Sequence, residues 1–161
     1  MSDELHLEFD ADALSVEHPF GRLEITEAKI ADFCRQVGET NPLYTDTDAA
    51  DRGPYGSLVA PPSMLLHVTP RDRVDANVRI NGTRVDPDDI DLYAGMAIEP
   101  LEPLRVGDVL EMTGSVVDIF AKTGRTGWMV FVAHRVDFRN QHGRLAAIVR
   151  ATVIHRDASG S

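Results

Sequence analysis

Trp128-Met129-Val130-Phe131-Val132-Ala133-His134-Arg135-Val136-Asp137-Phe138 is the stretch on which the fold turns. Successive side chains of a strand point to opposite faces, so Trp128, Val130, Val132, Val136 and Phe138 share one face with His134. Met129, Phe131 and Ala133 share the other with Arg135 and Asp137. Both faces therefore carry apolar groups, and such a sheet needs a helix over one side and a further cover, expected to be a second subunit, over the other. Val109 to Ala121 and Leu145 to Arg156 are equally rich in Val, Ile, Phe and Thr and read as flanking strands. Lys122-Thr123-Gly124-Arg125-Thr126-Gly127 and Asn140-Gln141-His142-Gly143 supply the turns. The expectation is an antiparallel three-stranded meander.

Upstream, the periodicity changes to that of helices. Thr26 is placed to cap a helix carrying Ile30, Phe33, Cys34 and Val37 on one face and ending at Gly38. Asp46 is placed to cap a short turn through Ala49, Ala50 and Asp51, broken by Gly53-Pro54-Tyr55-Gly56. Ser57 to Val68 contains Pro61 and Pro62, which suit the first turn of a helix because a missing amide hydrogen costs nothing there. Residues 70–106 are the least patterned and predict a strand or two, with an acidic loop at 86–91. The expected organisation is an N-terminal segment over 1–19, one domain over 20–156 and a frayed polar tail over 157–161.

With 161 residues, 43% hydrophobic and 26% charged, the chain can bury one ordinary core. Its formal net charge of -10 repels phosphate backbones, which argues against nucleic-acid binding. Arg71, Arg73, Arg79 and Arg84 cluster in sequence and form a candidate grip for a small anionic carrier, against a plain solvated surface. Cys34 is the only cysteine, so no intrachain disulfide forms and a reducing compartment is expected. It falls among apolar helix positions and reads as core rather than nucleophile. No signal segment and no run of about 18 apolar residues occurs, so no membrane association and a cytoplasmic location are expected.

Four pieces in order carry a family likeness. They are Gly38-Glu39-Thr40-Asn41-Pro42-Leu43-Tyr44-Thr45-Asp46, Tyr55-Gly56-Ser57-Leu58-Val59-Ala60-Pro61-Pro62, Pro103-Leu104-Arg105-Val106-Gly107-Asp108 and Asn140-Gln141-His142-Gly143. With them the chain resembles the MaoC-like dehydratase family, specifically the N-terminal-type half also called the FAS1-like dehydratase domain. The resemblance implies an α+β hot-dog fold, a long antiparallel sheet wrapped around a central helix, and dimeric assembly. It also implies a hydro-lyase: an enoyl-CoA hydratase or 3-hydroxyacyl-thioester dehydratase, whose acyl group is carried on coenzyme A or acyl carrier protein with no other cofactor and no metal.

That chemistry needs a base for water or the alpha proton, an acid for the other proton, and donors for the enolate-like oxygen. The family signature supplies an Asp and a His beside an Asn-Pro pair. Here Glu39 stands at the Asp position and Tyr44 at the His position, while Asn41, Pro42 and Leu43 match. A displacement of an ångström costs about 100-fold in rate, and a phenol with an ordinary pKa near 10 is a poor proton shuttle. Glu39 and Tyr44 are thus candidate catalytic residues at altered positions, and Asn41, Ala60, Pro61, Ser63 and Met64 are candidate substrate contacts. Three readings follow. The chain binds acyl thioester while a second MaoC-like subunit supplies Asp and His, or it is a self-sufficient homodimeric hydratase using Glu39 and Tyr44, or it is a non-catalytic acyl-CoA-binding protein. His67 reads as a core or interface group against a replacement imidazole. His134 and His142 lack carboxylate or cysteine neighbours at metal-ligand spacing. Trp128 and Phe131 are expected in the core.

Overall fold

The computed structural model describes residues 5–67, 76–86, 92–124 and 127–156. In chain order its strands are β1 (Leu7–Glu8), β2 (His18–Glu24), β3 (Val59–Ala60), β4 (Arg79–Ile80), β5 (Thr83–Arg84), β6 (Leu92–Pro100), β7 (Leu104–Arg105), β8 (Val109–Gly124), β9 (Gly127–Arg139) and β10 (Leu145–Arg156). The helices are α1 (Glu27–Val37), α2 (Pro42–Thr45) and α3 (Thr47–Asp51), with 3-10 turns at Ala11–Ala13 and Pro62–His67. The acidic stretch beyond Asp86, Arg71, Arg73 and the tail over 157–161 lie outside the described residues.

The expected meander is present as β8-β9-β10, and the main sheet extends it on both sides in the order β2-β8-β9-β10-β6, antiparallel throughout. Pairing runs further than the sequence pattern indicated, with β8 reaching Gly124 and β9 beginning at Gly127. Two of the five strands were hard to read. In β2, Pro19 and Gly21 interrupt the alternation, and the register against β8 shifts between them. In β6, almost every side chain is exposed, so no apolar face marks it.

The helix α1 forms as its caps dictate. Thr26 accepts from Lys29 N at 3.2 Å, and Gly38 closes the other end with φ 72, a backbone conformation that favours glycine. Ile30, Phe33 and Cys34 are buried, whereas Val37 stands 51% exposed in the last turn, where the chain reverses. The segment opened by Pro62 winds as a 3-10 turn rather than an α-helix over its described residues, with Met64 and Leu65 buried.

The inner face of the sheet is covered by two clusters. Over one end, α1 and the Pro62 turn set Ile30, Phe33, Met64 and Leu65 against Leu110, Met112, Val136, Phe138 and Val149. Over the other, Leu5, Leu7, Phe9 and Leu14 of the N-terminal segment join Val78, Ile80 and Val85 against Val116, Ile119, Val130, Val132 and Val153. Trp128 packs at the border of this second cluster, as expected of a core residue. Phe131 does not join it. The register pairs Phe131 with Phe120 on the outer face, where the rings stack at 4.7 Å and Lys122 lies 5.3 Å from the Phe131 ring. Asp137 on that face is only 4% exposed because Arg135 and Arg139 close over it, with N···O distances of 2.7 and 3.4 Å.

Phe20 packs against both inner clusters and lies across Gly114, where a Cβ would stand 2.0 Å from Phe20 Cε2. Gly114→Ala is therefore expected to cost about 1–3 kcal/mol by overpacking. Thermal unfolding should show this as a lowered midpoint, and a second change, Phe20→Leu, should restore part of the loss.

Candidate functional site

Three short caps in succession build the loop that carries the candidate site. After Gly38, the Glu39 amide donates back to Cys34 O at 2.9 Å. The Glu39 carboxylate then turns onto its own loop, where Oε1 accepts from Thr40 N and Asn41 N, both at 2.8 Å. Asn41 caps α2 by accepting from Leu43 N at 3.1 Å, with Pro42 at the first helical position. Asp46 caps α3 by accepting from Ala49 N at 3.0 Å. The Asn-Pro signature is thus a folding device: Asn41 and Asp46 satisfy amides that the helix starts leave open, and Glu39 satisfies two amides of the loop ahead of α2.

Two clefts meet this loop. The first, of about 370 Å³, is lined by Glu27, Ala31, Cys34 and Arg35 of α1 together with Glu39, Tyr44, Thr45, Thr47 and Leu58. The second, of about 320 Å³, is lined by Tyr44, Tyr55, Val59, Ala60, Pro62 and the run Pro100 to Leu104. Glu39 and Tyr44 thus share the first cleft, and Ala60 joins Tyr44 in the second. Asn41, Pro61, Ser63 and Met64 border neither of these two clefts. Met64 is a core residue at 4% exposure, Pro61 is buried and Ser63 faces solvent. Of the lining residues not singled out as candidates, Tyr55 stands in one of the four pieces that carry the family likeness, whereas Leu101 and Glu102 were marked only by the flanking prolines Pro100 and Pro103.

Of the cations considered for a carrier grip, Arg79 and Arg84 stand opposite each other on β4 and β5, away from both linings. Arg35 is the cation that borders the first cleft. His67 is exposed, its ring 5.3 Å from that of Phe33, so of the core or interface position expected it does not take the core one. His134 is buried on the inner face of β9, and His142 sits exposed in the turn, where its amide donates to Asn140 Oδ1 at 3.0 Å. Among the described residues no group of three His, Cys, Asp or Glu side chains is placed to hold a metal ion.

Burial and then the Glu39 carboxylate push the Cys34 thiol up from 9.0. Its Sγ donates to Tyr44 O at 3.9 Å, so it is a protonated core group and not a thiolate. Burial, followed by Tyr55, Glu39 and Cys34, pushes the Tyr44 phenol up from 10.0. At neutral pH Tyr44 can donate a hydrogen bond but cannot act as a base.

The FAS1-like dehydratase domain region, as a family, matches residues 15–149. The chain belongs to this family. A relative from Streptomyces griseus subsp. griseus, called UPF0336 protein, is 25% identical over 144 residues, spanning 87% of this chain and 89% of the relative. The MaoC-like dehydratase from Rhodospirillum rubrum superposes with a TM-score of 0.66 at 21% identity, covering 92% of this chain and 97% of that one. A chain of the HadBC complex from Mycobacterium tuberculosis, a 3R-hydroxyacyl-ACP dehydratase, superposes with a TM-score of 0.67 at 18% identity, covering 91% and 99%. The hot-dog fold and the MaoC-like resemblance of the sequence are borne out.

Both raised groups favour their neutral forms in the fold, so each stabilises fully below its ordinary value and loses that contribution as pH rises through its folded value. Urea denaturation is expected to show stability declining above about pH 9, where the thiol of the unfolded chain loses its proton while the folded Cys34 keeps it, and further above about pH 10 as the unfolded phenol does the same relative to Tyr44. In Tyr44→Phe the alkaline decline should be shallower, because the residue that replaces the phenol cannot ionise.

Proposed function

We propose that this chain is the acyl-thioester-binding subunit of an enoyl-CoA hydratase or 3-hydroxyacyl-thioester dehydratase, with a second MaoC-like subunit contributing the catalytic Asp and His. The observation that carries this reading is the posture of Glu39. Its Oε1 is held by two loop amides at 2.8 Å each, so the carboxylate at the family's base position serves to organise the loop. An oxygen already engaged by two amides of its own loop is not free to meet a substrate proton. Tyr44, kept as a phenol, supplies no shuttle either. The substrate is carried on coenzyme A or acyl carrier protein, and the reaction calls for no further cofactor, since water adds to C3 of the enoyl group and a proton to C2.

The edge strand β6 offers the place for the partner. Among the described residues no strand pairs with its outer edge. Tyr93 and Met96, which the register places on the inner face opposite Val153 and Ala151, are 52% and 39% exposed. A nine-residue edge with uncovered apolar side chains is a template for another chain, and native proteins usually cover it. β6 runs directly into Pro100 to Leu104 of the second cleft, so a subunit docked along it stands at the mouth of that cleft. The HadBC complex, as a dehydratase built from more than one chain, supports a partner subunit.

One observation favours a second reading, a homodimer using its own pair: Glu39 and Tyr44 do line one cleft. The discriminating experiment follows hydration of crotonyl-CoA and a longer enoyl-CoA by the purified chain, alone and co-expressed with a MaoC-like subunit carrying the intact Asp and His. Silence alone and turnover with the partner are expected; turnover by the isolated chain that disappears in Glu39→Gln would establish the homodimer instead. Binding of acyl-CoA with no turnover in either arrangement would leave a binding protein.

Met96→Glu places a charge on the uncovered side of β6. It is expected to abolish assembly with the partner in native mass spectrometry while leaving the unfolding midpoint of the separate chain close to wild type, as exposed substitutions usually do.

A further inference from the structure

Tyr44 is the one residue common to the linings of both clefts. On one side of it lie Tyr55, Val59, Ala60, Pro62 and Leu101; on the other lie Cys34, Glu39, Thr45 and Thr47. The groups that act on its phenol come from both sides, Tyr55 from the second cleft and Glu39 and Cys34 from the first. The ring packs at the border of the main core, half-buried, and its backbone is pinned: its amide donates to Asn41 O at 2.9 Å, and its carbonyl accepts from Cys34 Sγ. Its position is thus set by α2 and cannot drift without unwinding that turn.

The clefts differ in character. The second is walled by Val59, Ala60, Pro62, Leu101 and Leu104, suits an alkyl group, and opens beside β6. The first carries Glu27, Arg35, Glu39, Thr45 and Thr47, with Ala31, Cys34 and Leu58 as its apolar floor. Each alone lies near the lower end of the roughly 300–1,000 Å³ that ligand sites usually occupy. Joined, they would fall well inside it.

We propose that Tyr44 is a specificity-determining partition: its ring ends the apolar cleft and limits the acyl group of a bound thioester to a short chain. The inference rests on the acyl-thioester reading above and assigns a function to the altered residue itself. An aromatic ring at the position where the family signature has imidazole exchanges proton transfer for a wall. An acyl chain entering from the β6 side packs along Val59, Ala60 and Leu104 and meets the ring. Removing the ring opens a path along Ala31, Cys34 and Leu58, and removing only the hydroxyl does not.

The test measures binding of butyryl-, octanoyl- and dodecanoyl-CoA to wild type, Tyr44→Phe, Tyr44→Leu and Tyr44→Ala by calorimetry, with free coenzyme A as the reference. These saturated thioesters cannot react, so the readout is independent of any partner's chemistry. Wild type and Tyr44→Phe should both prefer butyryl-CoA. Tyr44→Ala should raise dodecanoyl-CoA affinity at least five-fold relative to butyryl-CoA, with Tyr44→Leu shifted in the same direction in case the alanine variant folds poorly. An unchanged chain-length profile in folded Tyr44→Leu and Tyr44→Ala overturns the partition while leaving the thioester reading intact. Failure of every thioester to bind wild type and all three variants overturns that reading and the partition with it.

Discussion

A long sheet with one continuous apolar face is the constraint that the rest of this molecule answers. β9 spans 13 residues, about 43 Å at the usual rise of a strand, while α1 with 11 residues is only about 16 Å long. One helix of that length cannot cover Val130 through Phe138. The chain meets the shortfall twice over, with the Pro62 turn beside α1 at one end and the N-terminal segment with β4 and β5 at the other. Phe20, packed against both clusters across Gly114, is the seam between them. At Tyr93 and Met96 of β6 the inner face stays exposed, and the same strand runs into the cleft bordered by Pro100 to Leu104.

The site inherits its geometry from the same economy of short elements. Between Gly38 and Asp51 the chain makes two helical turns, and the side chains of Glu39, Asn41 and Asp46 ahead of them each accept from a backbone amide. Such a loop is rigid, which is what a binding wall requires. It also draws the carboxylate of Glu39 toward the amides of Thr40 and Asn41, so that the side chain ties down its own loop. The tyrosine five residues later, a half-buried phenol near a carboxylate and a thiol, holds its proton.

The outer face shows a different solution to exposure. Phe120 and Phe131 stack and shelter each other under Lys122, and Asp137 is closed over by two arginines. The pair with Arg135 keeps that guanidinium firmly charged. This face is thus partly self-covered by cross-strand pairs, which are the unit of stabilisation in an antiparallel sheet. The cover expected from a second subunit is needed less over this face than along the open edge at β6.

Local signals were legible in the residues. Thr26 and Gly38 bound α1 because a hydroxyl cap and a glycine at positive φ act within a few residues of chain, and Asp46 starts α3 for the same reason. β8, β9 and β10 could be read because alternation records which side chains are buried. Burial itself failed as a guide for β6, which is exposed along its length, and for β2, where Pro19 and Gly21 break the alternation and only pairing with β8 makes the strand. His67 shows the limit on single residues, since apolar sequence neighbours left core and interface equally open and only the fold puts its ring outside the core, 5.3 Å from that of Phe33. The sequence alone determined the helix caps, the meander and the altered pair Glu39 and Tyr44, all of which depend on neighbours in the chain. Tertiary structure alone decided that Tyr44 lines two clefts and that, among the described residues, no strand pairs with the outer edge of β6, because each depends on contacts or voids between segments far apart in sequence.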